Sequence, residues 1–252
     1  MNDALLPLVR AVQSMLRRGG LSVTRYSKSE PDSLSVLLDR YQVDCVFDVG
    51  ANTGSTGSRL RSIGYCGRIV SFEPVPQFLP ELRRKAGADR LWRVEPYALG
   101  DMEQDAVINV TGSHGGASSF LQMTELVYKY APDQQVVSQE RVPVRRLDSV
   151  LENLYPKGDR LFLKMDVQGY EPRVLAGAGN SMTRIVGIQI EMSLRSAYRD
   201  ETLLPVMLEK LAGLGYSLCW IHPTWRDGAT GEIFQVDGYF FNTARNPLSR
   251  DE

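Results

Sequence analysis

The chain has few residues that form covalent or metal cross-links. Its 252 residues include only three cysteines and two histidines. The cysteines, Cys45, Cys66 and Cys219, are odd in number and far apart, so their spacing gives neither a zinc motif nor a disulfide framework. Cys45 and Cys219 lie in apolar runs, which predicts buried free thiols. We therefore expect a reducing compartment, the cytoplasm.

An excess of charge and a long apolar run are also missing. The formal net charge is -1, so the chain shows no basic footprint for nucleic acid, and no nucleic-acid partner is expected. No apolar run approaches the ~18–20 residues that a membrane-spanning helix needs. The composition is compatible with a monomer or an oligomer.

The two ends of the chain differ from its middle. Residues 1–33 include apolar side chains at helical spacing, with arginines on the other side. This pattern predicts a helical segment packed on the domain, or alternatively a helix that contacts a membrane surface or covers a substrate. The polar residues 245–252 are expected to be frayed.

Residues 34–244 alternate short apolar runs with amphipathic segments. Such alternation predicts βαβ units and a mostly parallel sheet, here with helices on both faces. The runs 216–222 and 234–242 have no helical pattern between them and predict an antiparallel hairpin at one sheet edge. "LWRVEPYAL" (91–99) is interpreted as one strand. Residues 102–146 break the rhythm and predict an insertion, with an extra strand pair and a mobile loop.

The stretch "VFDVGANTGSTGSRL" (46–60) has a strand pattern that runs into a glycine-rich turn. Its D-x-G-x-N-x-G pattern differs from the dinucleotide motif, which has glycine where this chain has Asn52. A carboxylate at the turn, Asp48, repels a phosphate but suits an ammonium or sulfonium group. Glu73, which closes the second strand, can accept both ribose hydroxyls of a nucleoside. Together these residues favour S-adenosylmethionine over NAD, although glycines that only pack a helix on a strand remain an alternative.

Seven ordered motifs resemble those of the FkbM-type S-adenosylmethionine-dependent methyltransferases. They are "FDVGANTG", "IVSFEP", "YALGD", "RRLDSV", "LFLKMDVQGYEPRVLAGA", "IQIEMSLRSAY" and "QVDGYFF", across roughly residues 34–242. The resemblance implies a Rossmann-like class I methyltransferase with a seven-stranded sheet. It also implies O-methylation of a sugar hydroxyl in a small-molecule or glycan acceptor, such as a glycolipid, polysaccharide or natural product.

The resemblance also implies a cofactor site. It places S-adenosylmethionine against the glycine turn, the end of the second strand and the end of the third. The residues are Asp48, Gly50, Asn52, Gly54, Glu73, Ala98 and Leu99, with Asp166 at the same sheet edge.

Carboxylates at the same sheet edge are the candidate catalytic groups. Asp166 ends the fourth strand, Glu171 follows it, and Glu191 ends the fifth. They can supply a general base, shape the acceptor site or hold a magnesium-like ion, with Asp166 and Glu191 as the candidate ligands. Glu171 can instead charge the start of a helix. His114, in a glycine-rich loop, is a candidate base on a lid.

Other roles and functions remain open from the sequence alone. Tyr198, Trp220 and Trp225 can stack on a sugar or pack in the core, and His222 can reach the acceptor or cap a turn. The alternative functions are methylation of another nucleophile, an NAD-binding oxidoreductase, and a silent S-adenosylmethionine-binding protein.

Overall fold

A computed structural model describes residues 33–112 and 115–247. The described α-helices, in chain order, are α1 Ser33–Arg40, α2 Ser55–Ser62, α3 Leu79–Ala86, α4 Glu125–Tyr130, α5 Leu147–Leu154, α6 Glu171–Gly177 and α7 Leu204–Gly213. The strands are β1 Cys45–Val49, β2 Arg68–Phe72, β3 Trp92–Glu95, β4 Ala98–Leu99, β5 Gln104–Thr111, β6 Val136–Arg145, β7 Leu161–Met165, β8 Ile185–Ser193, β9 Ser217–Arg226 and β10 Ile233–Phe241. Short 3₁₀ helices cover Asn180–Arg184 and Thr243–Arg245.

The main sheet has seven strands in the order β3-β2-β1-β7-β8-β10-β9. The pairs from β3 to β8 are parallel, and β10 is antiparallel to both β8 and β9. The chain order reverses between β1 and β7, and ligands in such sheets bind at the carboxyl ends of the strands beside that reversal. The predicted fold, a mostly parallel seven-stranded sheet with an antiparallel edge hairpin, is confirmed.

Helices cover both faces of this sheet. One apolar cluster packs α5, α6 and α7 against residues such as Phe47 and Leu163, and another packs α1, α2 and α3 against Val46 and Phe162. The central strands β1 and β7 are buried along their whole length. Burial on both faces explains why they are continuous apolar runs, interrupted only by Asp48 and Lys164.

The inserted region contributes β5 and β6 to a second, three-stranded sheet in the order β4-β6-β5. Strands β5 and β6 are antiparallel, whereas β4 is parallel to β6. The interpretation of 91–99 as one strand is wrong, since β3 ends at Glu95 in the main sheet and β4 belongs to the second sheet. Pro96 between them lacks the N–H that a continuous strand needs, so the chain changes sheets there.

The edge strand β9 is mostly exposed. Cys45 is buried, as expected, but Cys219 on β9 is exposed, so the prediction for that thiol is wrong. An apolar run at a sheet edge looks like a buried strand in sequence, and its exposure depends on what covers it. No helix among the described residues is long and apolar enough to cross a membrane.

Three predictions fall partly or wholly outside the described residues. The N-terminal helical segment lies outside them up to residue 32, and so does the tail from residue 248. The structure describes Arg245, whose guanidinium donates to the carbonyl of Asp159 at 2.6 Å. His114 also lies outside the described residues.

Candidate active site

The turn after β1 has a left-handed backbone conformation at every second residue. The φ angle is +75° at Gly50, +48° at Asn52 and +83° at Gly54. Glycine adopts this conformation without steric cost, and asparagine tolerates it better than most residues. The G-x-N-x-G spacing therefore follows from the path of the backbone.

The two glycines of this turn have different neighbours. A Cβ atom on Gly50 would lie 2.0 Å from the carbonyl oxygen of Asp166, so the turn passes directly over the end of β7. A Cβ atom on Gly54 would lie 2.8 Å from the side chain of Leu82 on α3. Gly50 lies at the sheet edge beside Asp166, whereas Gly54 packs the start of α2 against α3. The cofactor contact expected of Gly54 stays a prediction.

Glu73, directly after β2, is joined to the same turn. Its Oε2 accepts a hydrogen bond from the Asn52 backbone N–H at 2.7 Å, and its Oε1 accepts one from Val75 N–H at 2.8 Å. Burial raises the pKa of Glu73 to about 7, although the two backbone hydrogen bonds oppose that shift. Each oxygen keeps a further lone pair, so the carboxylate can accept hydrogen bonds from a ligand as well.

A cavity, called here the first cavity, opens at the carboxyl ends of β1, β2 and β7. It is lined by backbone of the turn at Gly50 and by polar and apolar side chains. The polar ones are Asn52, Glu73, Ser118, Asp166, Gln168 and Tyr170; the apolar ones include Val75, Phe78, Ala98, Leu99, Ile108 and Phe120. An apolar pocket with a few convergent polar groups is typical of a ligand site.

Asp48 is fully buried in β1 and does not line this cavity. Its Oδ1 lies 3.0 Å from the Lys164 ammonium of β7, and its Oδ2 accepts a hydrogen bond from Ser71 at 3.3 Å. The two charged residues are direct partners in the parallel register. Burial disfavours the charged form of Lys164, but the nearby carboxylates outweigh this and raise its pKa. Asp48 thus forms an ion pair under the sheet edge.

Gln168 links the two predicted catalytic carboxylates. Its Nε2 donates to Asp166 Oδ1 at 2.7 Å and to Glu191 Oε2 at 2.8 Å. Its Oε1 accepts a hydrogen bond from the Tyr198 hydroxyl at 2.6 Å. Two acceptors on one side and a donor on the other fix which way the amide points. We call these four side chains the Gln168 cluster.

Glu191 is held by neutral donors from three sides. Besides Gln168, the Thr224 hydroxyl donates to its Oε1 at 3.2 Å and Gln235 Nε2 donates to its Oε2 at 3.3 Å. Burial, followed by the Asp166 and Glu171 charges, raises the pKa of Glu191 well above its usual value. A carboxylate with a raised pKa is a better proton acceptor near neutral pH than an exposed one.

Glu171 is buried and lines neither cavity. Its Oε1 accepts a hydrogen bond from Val167 N–H at 2.9 Å, and burial raises its pKa to about 8. It is the first residue of α6, and the structural role considered for it from the sequence stays a prediction.

The predicted magnesium site does not fit this arrangement. The amide NH₂ of Gln168, which carries no lone pair for a metal, lies between Asp166 and Glu191. Among the described residues, no group of three His, Cys, Asp or Glu side chains is placed to hold a metal ion. Hard divalent ions need several oxygen ligands around them.

We therefore expect millimolar magnesium to leave the unfolding midpoint of the protein unchanged. A ligand that binds the native state at 100 times its dissociation constant would add about 2.7 kcal/mol of stability. Thermal unfolding with magnesium chloride and with a matched sodium chloride control checks this. An unfolding midpoint that rises with magnesium chloride but not with sodium chloride would support a magnesium site.

A second cavity meets the first at Gln168 and Gly116, which line both. Glu191, Tyr198, Trp225 and amide side chains form much of its wall. No lysine, arginine or histidine of the described residues lines it. The Gln168 cluster thus separates two adjoining spaces.

The remaining aromatic and histidine candidates do not share one site. Trp225 lines the second cavity and packs edge-on against Phe234. Trp220 packs against Tyr239, with ring centroids 4.5 Å apart, and lines neither cavity. His222 is exposed on β9. Sequence reasoning named Tyr198 and Trp225 only as stacking candidates and assigned no role to Lys164 or Gln168.

Comparison with known families identifies the class of protein. The family described as the methyltransferase FkbM domain matches residues 48–218, more than half of the chain. The chain belongs to this family, and its fold is that of class I S-adenosylmethionine-dependent methyltransferases. Because the chain belongs to a methyltransferase family, the alternative of an NAD-binding oxidoreductase is rejected. A search of curated proteins found no significant match.

Several methyltransferases are among the solved structures to which the chain is similar. Magnesium protoporphyrin IX methyltransferase from Synechocystis PCC 6803, with bound SAM, is 10% identical with a TM-score of 0.46, covering 96% of this chain and 85% of that one. A precorrin-6y C5,15-methyltransferase from Geobacter metallireducens is 13% identical with a TM-score of 0.41, covering 88% and 94%. Fibrillarin from Aeropyrum pernix, with natively bound S-adenosyl-L-methionine, is 14% identical with a TM-score of 0.45, covering 78% and 66%. Because these TM-scores are below 0.5, the acceptors of these enzymes say nothing about the acceptor of this chain.

Proposed function

We propose that the protein transfers a methyl group from S-adenosylmethionine to a hydroxyl of a sugar or of a glycosylated small molecule. The observation that carries this proposal is the second cavity. It adjoins the first at the Gln168 cluster, and the Glu191 carboxylate lies in its wall. The raised pKa of Glu191 suits the removal of a proton from a hydroxyl.

The first cavity is the proposed site of the cofactor. Glu73 is expected to accept the ribose hydroxyls, and Ala98 and Leu99 to contact the adenine. Gly50 and Asn52 are expected to lie along the amino-acid part, while Asp48 acts only through its charge because it is buried beside Lys164. Bound S-adenosylmethionine supplies an electrophilic methyl group on a sulfonium.

The residues around the Gln168 cluster are assigned the acceptor chemistry. Asp166 has a side chain that is 42% exposed and lines the first cavity, where a carboxylate favours a sulfonium. Glu191 accepts the proton of the acceptor hydroxyl in the second cavity. Trp225 offers an aromatic face, which suits the apolar side of a sugar ring. The base role predicted for His114 stays a prediction.

The lining of the second cavity favours an uncharged acceptor. An anionic group there would meet Glu191 without a described lysine, arginine or histidine to balance it. This argues against a phosphate-rich acceptor such as a nucleic acid. The cytoplasmic location is inferred only from the three free cysteines.

Methyl-labelled S-adenosylmethionine with a panel of glycosides tests the acceptor. We expect label in neutral deoxysugar glycosides and less in the matching uronic acids. Label only in amines or carboxylates would show another nucleophile, and no label in any acceptor would favour the silent binding protein.

Trp225→Ala should lower kcat/KM for a glycoside acceptor by about five- to tenfold, because an aromatic contact contributes about 1 kcal/mol. Trp220→Ala is the matched control, since Trp220 lines neither cavity. An equal decrease of kcat/KM in both variants would show that Trp225 does not contact the acceptor.

A further inference from the structure

Gln168 has an unusual backbone for its residue type. Its φ angle is +57°, in the left-handed region, and Gly169 follows at +91°. A non-glycine residue in this region costs free energy and persists only where its surroundings hold it. Here the Ser119 hydroxyl donates to the Gln168 carbonyl oxygen at 2.7 Å, which ties the residue to the inserted region.

The side chain is fixed as firmly as the backbone. The hydrogen bonds that join the amide to Asp166, Glu191 and Tyr198 are all 2.8 Å or shorter. The Tyr198 hydroxyl that holds the amide oxygen is buried and also lies 3.1 Å from the Ala117 carbonyl. With its oxygen engaged by Tyr198, the amide can present only its NH₂ to Asp166 and Glu191.

The neutral NH₂ group offsets the repulsion between two acids. Asp166 and Glu191 share one donor group, and without it two adjacent carboxylates would repel each other. The amide gives each carboxylate a hydrogen-bond donor on the side that faces the other acid. One carboxylate then lies in the wall of each cavity.

We propose that Gln168, held by Tyr198, is a positioning residue that fixes the Asp166 carboxylate for recognition of the sulfonium group. The inference rests on the placement of the cofactor under the proposed function. It requires Gln168 to act through Asp166, because the amide itself carries no charge. It predicts discrimination between S-adenosylmethionine, which is a sulfonium, and S-adenosylhomocysteine, which is a neutral thioether.

Binding of both compounds to the full chain tests this without an acceptor. Gln168→Met keeps the length of the side chain and removes both donors. We expect this variant to raise the dissociation constant of S-adenosylmethionine by about tenfold. The dissociation constant of S-adenosylhomocysteine should change by less than about twofold. Tyr198→Phe removes the hydroxyl that holds the amide oxygen. It should reduce the preference for S-adenosylmethionine over S-adenosylhomocysteine, measured as the ratio of their dissociation constants, by about threefold.

Tyr216→Phe is the matched control. The Tyr216 hydroxyl is also buried and donates to the Ile185 carbonyl at 2.9 Å, away from both cavities. It should lower stability without changing the ratio of the two dissociation constants. An unchanged ratio in Gln168→Met, or equal weakening of both compounds, would overturn the positioning role. Failure of the wild-type protein to bind either compound would instead reject the cofactor placement.

Discussion

Glu73→Ala is expected to weaken the binding of S-adenosylhomocysteine by at least about tenfold. The carboxylate is the group proposed to accept the ribose hydroxyls, and each hydrogen bond to a charged group contributes about 1.5–3 kcal/mol. The change also leaves the backbone N–H groups of Asn52 and Val75 without their acceptor. Titration calorimetry measures the dissociation constant, and an unchanged value would reject the ribose assignment.

The same carboxylate should make binding depend on pH. Burial raises the pKa of Glu73 to about 7, so its charged, accepting form increases as the pH rises through 7. We expect the affinity for S-adenosylhomocysteine to increase between about pH 6 and pH 8 in the wild-type protein. In Glu73→Gln, which keeps the shape but does not titrate, this pH dependence should disappear.

Stability should respond to pH in the opposite direction. The folded pKa of Glu73 lies above its ordinary value of 4.5, so between about 4.5 and 7 the folded protein retains a proton that the unfolded chain releases. The contribution of Glu73 to stability therefore falls as the pH rises through that window. Comparing wild-type and Glu73→Gln urea midpoints across it separates this effect from ligand binding.

Strand positions and ends were predictable because they depend on local patterns. The apolar runs of β1 and β7 and the acid that follows β2 identified the sheet edge and Glu73. Pro96 could have indicated the break between β3 and β4, but the apolar residues on both sides of it resemble one continuous strand. The exposure of Cys219 was not predictable, since it depends on which element covers β9.

The Gln168 cluster shows where reasoning from the sequence ends. Acids at the ends of adjacent strands predicted that Asp166 and Glu191 would be near neighbours. Whether a metal or a neutral amide lies between them depends on the backbone conformation of Gln168 and on Tyr198, 30 residues away. Such long-range contacts leave no signal in the pattern of one chain.

The ion pair under the site did leave a signal. Asp48 lies two residues before Gly50, and Lys164 lies two residues before Asp166. Since the parallel strands β1 and β7 end together, the two charges are direct neighbours. A lysine within an otherwise apolar strand needs a partner of opposite charge, and Asp48, its direct neighbour in the strand register, supplies one.

Lys164→Met is expected to lower the free energy of unfolding by about 3–5 kcal/mol, because it leaves the Asp48 carboxylate buried without its cation. The pair is almost completely buried, with side-chain exposures of 5% and 0%. Urea denaturation measures the change, and Lys210→Met on the exposed face of α7 should stay within about 0.5 kcal/mol.

The double variant Asp48→Asn with Lys164→Met separates the structural role of Asp48 from the cofactor role predicted for it. Removing both charges should recover much of the lost stability, because a buried pair contributes little net free energy once its desolvation is counted. If Asp48 serves mainly to balance Lys164, the double variant should also bind S-adenosylhomocysteine within about threefold of wild type. Recovered stability with S-adenosylhomocysteine binding lost would show that Asp48 acts on the ligand. If Lys164→Met alone lowers the free energy of unfolding by less than about 1 kcal/mol, the site tolerates the unpaired acid and the ion pair does not hold β1 and β7 together.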